Sequence, residues 1–120
     1  MRTSLLVAAL VASVASCGVE TDDRVPTAEY VVPAIFRPSC GTAACHSSAT
    51  AREGYALDTI EGVCAASDNN PLTQFLTDDA ETRMPLDSPL PDADIALLFR
   101  WYYVDGDPEE GLIVPPAGCP

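Results

Sequence analysis

The pattern of apolar and polar positions along the chain predicts short helices separated by loops. Apolar residues recur at helical spacing from Ala28 to Arg37, and Pro33 is expected to divide this segment into two pieces. A second helix is expected to begin at Asp58 or Thr59, either of which has a side chain suited to capping, and to run through Cys64.

The pattern in the second half of the chain predicts two more helices. They are joined by a loop whose prolines prevent it from forming a helix. Residues 70–76 have an Asn-Pro start followed by large apolar residues, so a helix is expected there. The last helix is expected from about Pro91 to Val104, with Gly106 as its stop. Apolar side chains cover so much of this helix that burial on two sides is expected. The predicted fold class is all-α, a small domain of short helices and loops.

The start of the chain has the pattern of a bacterial export signal. Residues 1–16 begin with a cation and continue with an apolar run that is too short to span a bilayer, so they are predicted to be a signal peptide. Val-Ala-Ser-Cys at positions 14–17 resembles a bacterial lipobox, which implies cleavage before Cys17 and lipid on that cysteine. By the same resemblance, glycine at position 18 favours anchoring of the lipoprotein in the outer membrane. The alternative is an ordinary signal peptide, with Cys17 a free or paired thiol.

Charge and length limit the classes of partner. The chain of 120 residues is long enough for one domain, and its 18 Asp and Glu against 6 Lys and Arg give a formal net charge of −12. This charge argues against nucleic acid and against adsorption to anionic lipid, and it favours a neutral or basic partner. We interpret residues 17–27 as an acidic, lipid-anchored tether and residues 28–120 as the folded domain with a proline-rich tail. We expect a monomer that meets the membrane only through its N-terminal lipid.

Candidate chemistry is concentrated in the segment Cys-Gly-Thr-Ala-Ala-Cys-His at positions 40–46, which contains the single histidine of the chain. A cysteine followed at once by histidine, with a second cysteine upstream, is the pattern of a c-type haem attachment site. In such a site two thiols bond to the haem vinyl groups, and the imidazole takes an axial position on iron. The usual spacer between the cysteines has two residues, whereas this one has four.

Further motifs follow this segment in a fixed order. They are Gly-Tyr-Ala-Leu-Asp-Thr at 54–59, Met-Pro at 84–85, and Pro-Leu-Pro-Asp-Ala-Asp-Ile-Ala-Leu-Leu-Phe-Arg-Trp at 89–101. Together they resemble the small single-haem cytochrome c domains of exported bacterial proteins, including the planctomycete-type group. The resemblance implies that Cys40 and Cys45 hold the haem, with His46 as proximal and Met84 as distal ligand of the metal. The candidate walls of the haem pocket are three aromatic residues, Phe36, Trp101 and Tyr102.

The resemblance also implies a function. A chain with one covalent haem c and both axial positions filled by protein side chains is expected to carry single electrons and not to be an enzyme. The expected fold is a small cytochrome c-like domain around the haem, and the expected partner is another redox protein. Because c-type haem is attached outside the bacterial cytoplasm, the chain is expected in the periplasm or cell envelope.

The remaining cysteines and two alternatives complete the interpretation. With Cys17 assigned to lipid and two cysteines to haem, Cys64 and Cys119 are predicted to form a disulfide that ties the tail to the domain. In one alternative the chain is a haem-free, disulfide-stapled lipoprotein that acts as an interaction module, with Cys40 bonded to Cys45. In another, these two cysteines and His46 bind zinc or copper, although an oxidising compartment disfavours free thiolates.

Overall fold

The computed structural model of the protein describes residues 22–68, 70–77, 82–109 and 112–120. The predicted signal peptide at residues 1–16 and the predicted lipid-bearing Cys17 lie outside the described residues. Of the predicted tether at residues 17–27, the structure describes residues 22–27.

Short helices connected by loops make up the fold. They are α1 (Ala28–Val31), a π-helical segment (Val32–Phe36), α2 (Arg37–Ser39), α3 (Ile60–Ser67) and α4 (Asp92–Tyr102), with 3₁₀ turns at Arg52–Gly54, Leu72–Phe75 and Val104–Gly106. The described ranges contain no β-strand, only an isolated antiparallel bridge between Tyr103 and Ile113. The predicted all-α class is therefore confirmed. None of the helices described is long and apolar enough to cross a membrane.

The first helical segment differs from the prediction at Pro33. Pro33 was expected to divide it, but α1, the π-helical segment and α2 run on without a break. Pro33 lacks the N–H that an α-helix needs, and π-helical spacing accommodates this: the Arg37 amide donates to the Val32 carbonyl, five residues earlier. The run ends at Ser39. It buries five apolar side chains, Ala28, Val31, Val32, Ile35 and Phe36.

Helix α3 begins at a predicted cap. The Thr59 hydroxyl accepts a hydrogen bond from the Gly62 amide at 3.1 Å, which satisfies one of the free N–H groups of the first turn. The helix extends past Cys64 to Ser67. The helix predicted at residues 70–76 is instead a single 3₁₀ turn, because Pro71 is extended and no side chain caps the turn.

Helix α4 lies at the centre of the core. Its first turn contains Asp92 and Asp94, whose negative charges complement the positive end of the helix dipole. Gly106, in the turn that follows, has a φ of +75°, the left-handed conformation that glycine adopts without cost. Four side chains of α4 are almost completely buried, as its apolar circumference predicts: Leu97, Leu98, Trp101 and Tyr102. They belong to one hydrophobic cluster with α1, the π-helical segment and α3.

A buried chain of hydrogen bonds fixes α3 against α4. The Tyr102 hydroxyl lies 2.6 Å from the Ser67 hydroxyl, which donates to the Val63 carbonyl at 2.7 Å. Because Ser67 uses its proton on that carbonyl, Tyr102 is the donor in the bond between the two hydroxyls. Burial raises the pKa of Tyr102 to about 12, so its proton is retained at neutral pH.

The C-terminal tail is bound back to the domain. The Ala117 carbonyl accepts hydrogen bonds from the Ala28 amide at 2.8 Å and from the Trp101 indole Nε1 at 3.0 Å. Cys119 is bonded to Cys64 of α3, which is the disulfide predicted from the sequence. The tail therefore connects α1, α3 and α4.

Part of the predicted acidic tether contacts the folded domain. The Arg24 guanidinium forms ion pairs with Asp22 at 2.8 Å and with Asp94 of α4 at 2.6 Å. Arg100, also in α4, donates to the carbonyls of Asp22 and Arg24. The hydrogen bonds from Arg24 lower the pKa of Asp22 to about 2, so this carboxylate stays charged down to low pH. Within the described residues, contacts with the domain thus begin at Asp22, ahead of Ala28.

Replacement of both disulfide cysteines, by Cys64→Ser with Cys119→Ser, is expected to lower the free energy of unfolding by about 4 kcal/mol. The bond joins residues that are 55 positions apart, and without it the unfolded chain regains the entropy of that loop. Urea unfolding followed by circular dichroism measures the change. Leu112→Ser, at an exposed position of the same tail, is the control. Equal midpoints for the double variant and the wild type would contradict the expectation.

Candidate cofactor site

A cavity of about 330 Å³ lies between residues 40–46 and residues 84–88. The four side chains predicted from the sequence as haem-binding all line it: Cys40, Cys45, His46 and Met84. Apolar side chains complete the walls, among them Phe36, Leu57, Leu72, Phe75 and Leu76. Residue 84 follows residue 46 by 38 positions, so the fold, and not proximity in the sequence, brings these groups to one cavity.

A backbone hydrogen bond closes residues 40–46 into a loop. The His46 amide donates to the Cys40 carbonyl at 3.0 Å, and the Cys45 amide donates to the Thr42 carbonyl at 2.9 Å. The turn between these two hydrogen bonds accommodates the extra spacer residues. Its two alanines, Ala43 and Ala44, are exposed. The four-residue spacer therefore still places both cysteines and the histidine at the same cavity.

Gly41 allows this loop to lie directly against the following segment. A Cβ atom on residue 41 would lie 2.8 Å from the Leu57 carbonyl oxygen and from backbone atoms of Asp58, closer than side chains pack. The close approach lets the Leu57 amide donate to the His46 carbonyl. Gly41 thus helps to fix the backbone of the histidine.

A second hydrogen bond sets the orientation of the His46 ring. Its Nδ1 atom lies 3.0 Å from the Arg52 carbonyl oxygen. A carbonyl oxygen only accepts, so Nδ1 carries the proton, and in the neutral ring the lone pair is on Nε2. The ring also packs edge-on against Tyr55, with centroids 6.2 Å apart. Metal-binding histidines are held in this way, with one nitrogen bonded to a carbonyl and the other free to coordinate.

The carbonyl that accepts from His46 belongs to a turn with left-handed residues on both sides. Ala51 has a φ of +39° and Glu53 a φ of +54°, which residues with a Cβ atom rarely adopt, and Gly54 follows at +82°. Each of the two non-glycine residues costs on the order of 1 kcal/mol, and such residues cluster at functional sites. Only Gly54 marks this turn in the sequence, so the Arg52 carbonyl is a contact that the sequence analysis misses.

The two cavity cysteines are free thiols, whereas Cys64 and Cys119 are bonded. The Cys40–Cys45 disulfide that the haem-free alternative requires is thus not present. Cys40 is 9% exposed, and its burial, with a smaller effect of Cys45, raises its pKa to about 11. Its sulfur is therefore protonated at neutral pH when no metal or cofactor is bound.

Met84 reaches the cavity from the loop that follows the 3₁₀ turn Leu72–Phe75. Its amide donates to the Phe75 carbonyl at 2.7 Å, which holds the Met-Pro dipeptide against that turn. The peptide bond between Met84 and Pro85 is cis. The proline-rich loop thus presents Met84 at the cavity wall, as the sequence predicts.

Of the three aromatic residues predicted as pocket walls, Phe36 lines the cavity, whereas Trp101 and Tyr102 do not. Trp101 lies behind Phe36, with ring centroids 6.1 Å apart, and Tyr102 is bonded to Ser67 of α3. The prediction of Trp101 and Tyr102 was wrong because helical periodicity identifies a buried face and not the neighbour that covers it. The leucines at positions 57, 72 and 76 line the cavity instead.

The described part of the chain contains no group of three or more His, Cys, Asp or Glu side chains that are close enough together to hold a metal ion. The zinc or copper site suggested for Cys40, Cys45 and His46 therefore has no support. A haem iron needs only two ligands from the protein, because the macrocycle supplies four nitrogens, and histidine with methionine is one such pair.

Gly41→Ala is expected to lower the free energy of unfolding by about 2 kcal/mol, because the added methyl group meets backbone atoms that cannot move aside. Urea unfolding measures the loss. Ala43→Ser, at an exposed position of the same loop, is the control and should change stability by less than about 0.5 kcal/mol. Equal stability of the two variants would contradict the close approach.

Comparison with known proteins identifies no relative of this chain. No protein-family model, no curated protein and no solved structure matches the chain. The resemblance to cytochrome c domains therefore stays a prediction, and the function of the site is inferred from its own geometry.

Proposed function

We propose that the chain binds one c-type haem covalently and carries single electrons. One observation carries the proposal: two thiols, an oriented imidazole and a thioether, from positions 40 to 84, line one apolar cavity. These are the groups that a covalent haem with two protein ligands on iron requires.

The cavity suits a predominantly apolar group. Its volume of about 330 Å³ lies within the range of pockets for small molecules and cofactors. Leu57, Leu72 and Leu76 are buried beneath it, whereas Phe75 is exposed at its mouth. Part of the cavity wall is therefore shielded from water, and part of it is accessible from solvent.

Cys40 and Cys45 are suited to covalent attachment because both are free. Each thiol would add across one vinyl C=C bond, with the sulfur bonded to one carbon and the hydrogen to the other. The addition consumes no oxidant or reductant, but it requires both sulfurs in the reduced state. The 40–46 loop closes through the His46 amide, which keeps both cysteines at one cavity despite the four-residue spacer.

His46 and Met84 are the proposed axial ligands. The Arg52 carbonyl leaves the His46 lone pair on Nε2, and the Phe75 carbonyl holds the backbone of Met84. When bound, the haem supplies an iron that gains and loses one electron, at a potential that methionine ligation raises. With both side chains on iron no position is left for a substrate, so we infer a carrier and not an enzyme.

We propose further that the carrier is an exported lipoprotein. Residues 1–16 would be removed and Cys17 would carry lipid, which places the domain in the periplasm or cell envelope, with the outer membrane favoured. The bond between Cys64 and Cys119 supports an oxidising compartment. The domain would act as a monomer that exchanges electrons with a separate redox protein.

The alternative is a haem-free, disulfide-stapled lipoprotein that serves as an interaction module. It requires a second disulfide between Cys40 and Cys45, and the free state of both thiols does not favour it. A colourless protein without titratable thiols would indicate this alternative.

Protein produced in a periplasm with haem-attachment enzymes is expected to show a Soret band and sharp α and β bands on reduction. The haem is expected to stay on the denatured chain. Cys40→Ser with Cys45→Ser should abolish this covalent haem stain, because a serine hydroxyl does not add to a vinyl group. The control is Cys64→Ser with Cys119→Ser, which also removes two sulfurs, both outside the cavity. This control variant should keep the covalent haem stain. Colourless wild-type protein would refute the proposed function.

Met84→Ala is expected to remove the red charge-transfer band of the oxidised protein and to lower its reduction potential by on the order of 0.1 V. His46→Ala should prevent stable haem incorporation. Redox titration and visible spectra measure both effects. Pro89→Ala, at an exposed position of the Met84 loop, is the control and should change neither. An unchanged spectrum in Met84→Ala would exclude this residue as a ligand.

A further inference from the structure

Three exposed apolar side chains lie among the residues that line the cavity. Tyr55, Phe75 and Leu86 line the cavity and are 43%, 39% and 64% exposed. They come from three separate segments of the chain, so the fold assembles them at one opening. Exposed apolar residues that cluster in this way mark interaction sites, whereas residues scattered singly do not.

Acidic side chains border the same opening. Glu53 and Asp87 line the cavity and are exposed, and Arg52 is the one arginine among the lining residues. The net charge of these three side chains is thus −1, within a chain whose formal net charge is −12. The opening is an apolar contact surface with acidic neighbours, in a protein that is acidic as a whole.

We propose that the cavity rim, defined as Glu53, Tyr55, Phe75, Leu86 and Asp87, is the surface on which the electron partner docks. The partner is a redox protein with an apolar contact surface surrounded by basic side chains. This inference rests on the proposed function, because the rim borders the cavity in which the electron would be held.

Charge favours such a partner over a second copy of the chain. Two copies that met rim to rim would bring Glu53 and Asp87 of each against the same residues of the other, and their net charges of −12 would repel at long range. A basic partner is instead attracted from a distance, over about 8 Å at physiological ionic strength and farther at low salt. Contact between apolar groups then adds short-range affinity without a fixed network of ion pairs, as suits a brief encounter.

Broadening of amide signals in NMR spectra locates the docking surface without any need for haem. The probe is tris(phenanthroline)chromium(III), a paramagnetic trivalent cation whose outer surface is apolar. Signals of the cavity rim are expected to broaden first, and added salt should weaken the effect. Broadening that is no stronger at the rim than at the exposed acidic residues Asp23 and Glu109 would overturn the proposal.

Electron transfer from the reduced holoprotein to tris(phenanthroline)cobalt(III) tests the same surface by rate. One electron leaves iron(II) and reduces cobalt(III) to cobalt(II), with no other reactant. Glu53→Lys with Asp87→Lys should lower the second-order rate constant at low ionic strength by at least about fivefold. Asp23→Lys with Glu109→Lys makes the same change in net charge away from the cavity and should lower it by less than about twofold. Equal effects of the two pairs would contradict a localised docking surface.

The two measurements separate the docking surface from the proposed function. A colourless protein whose rim signals broaden contradicts electron transfer and, with it, the docking of an electron partner, and leaves the rim a binding surface for an apolar cation only. A haem protein whose rim signals do not broaden contradicts the docking surface and leaves the electron carrier intact.

Discussion

The site depends on one backbone hydrogen bond, from the His46 amide to the Cys40 carbonyl. It closes a loop with a spacer longer than the common one, and so keeps two sulfurs and an imidazole at the same cavity. The loop is supported from both ends. The Phe36 carbonyl accepts from the amides of Cys40 and Gly41 at the end of the helical run, and Gly41 packs against the backbone of residues 57–58.

Hydrogen bonding divides the polar atoms near the cavity into two sets. The described part of the protein leaves no buried side-chain nitrogen or oxygen without a partner, and Nδ1 of His46 and the Tyr102 hydroxyl are both satisfied. Two thiol sulfurs, a thioether sulfur and the second imidazole nitrogen also belong to residues that line the cavity. In an apolar cavity these are the atoms that a metal-containing cofactor engages, since each loses little when water is removed.

The sequence predicts the parts of this arrangement that depend on local chemistry. The Thr59 cap, helix α4 and the Cys64–Cys119 bond follow from side-chain type and position, and the structure contains all three. The parts that it does not predict depend on contacts between distant segments or on unusual backbone. Helical periodicity does not predict that Trp101 packs in the core behind Phe36. Apart from Gly54, no residue type in the sequence indicates that the residues around the Arg52 carbonyl adopt left-handed conformations. The π-helical passage past Pro33 is of the same kind, because unusual backbone hydrogen bonding carries the helix past the proline.

The single carbonyl of Ala117 has a consequence for the order in which the fold is completed. It accepts from the Ala28 amide and the Trp101 indole, and residue 117 follows residue 28 by 89 positions. A chain that emerges N-terminus first therefore exposes its cysteine loop long before the tail can secure the helices around it. Under the proposed function, this is the interval in which a haem-attachment enzyme would reach both thiols. The tail thus completes the contacts between α1 and α4 only after the rest of the chain has emerged.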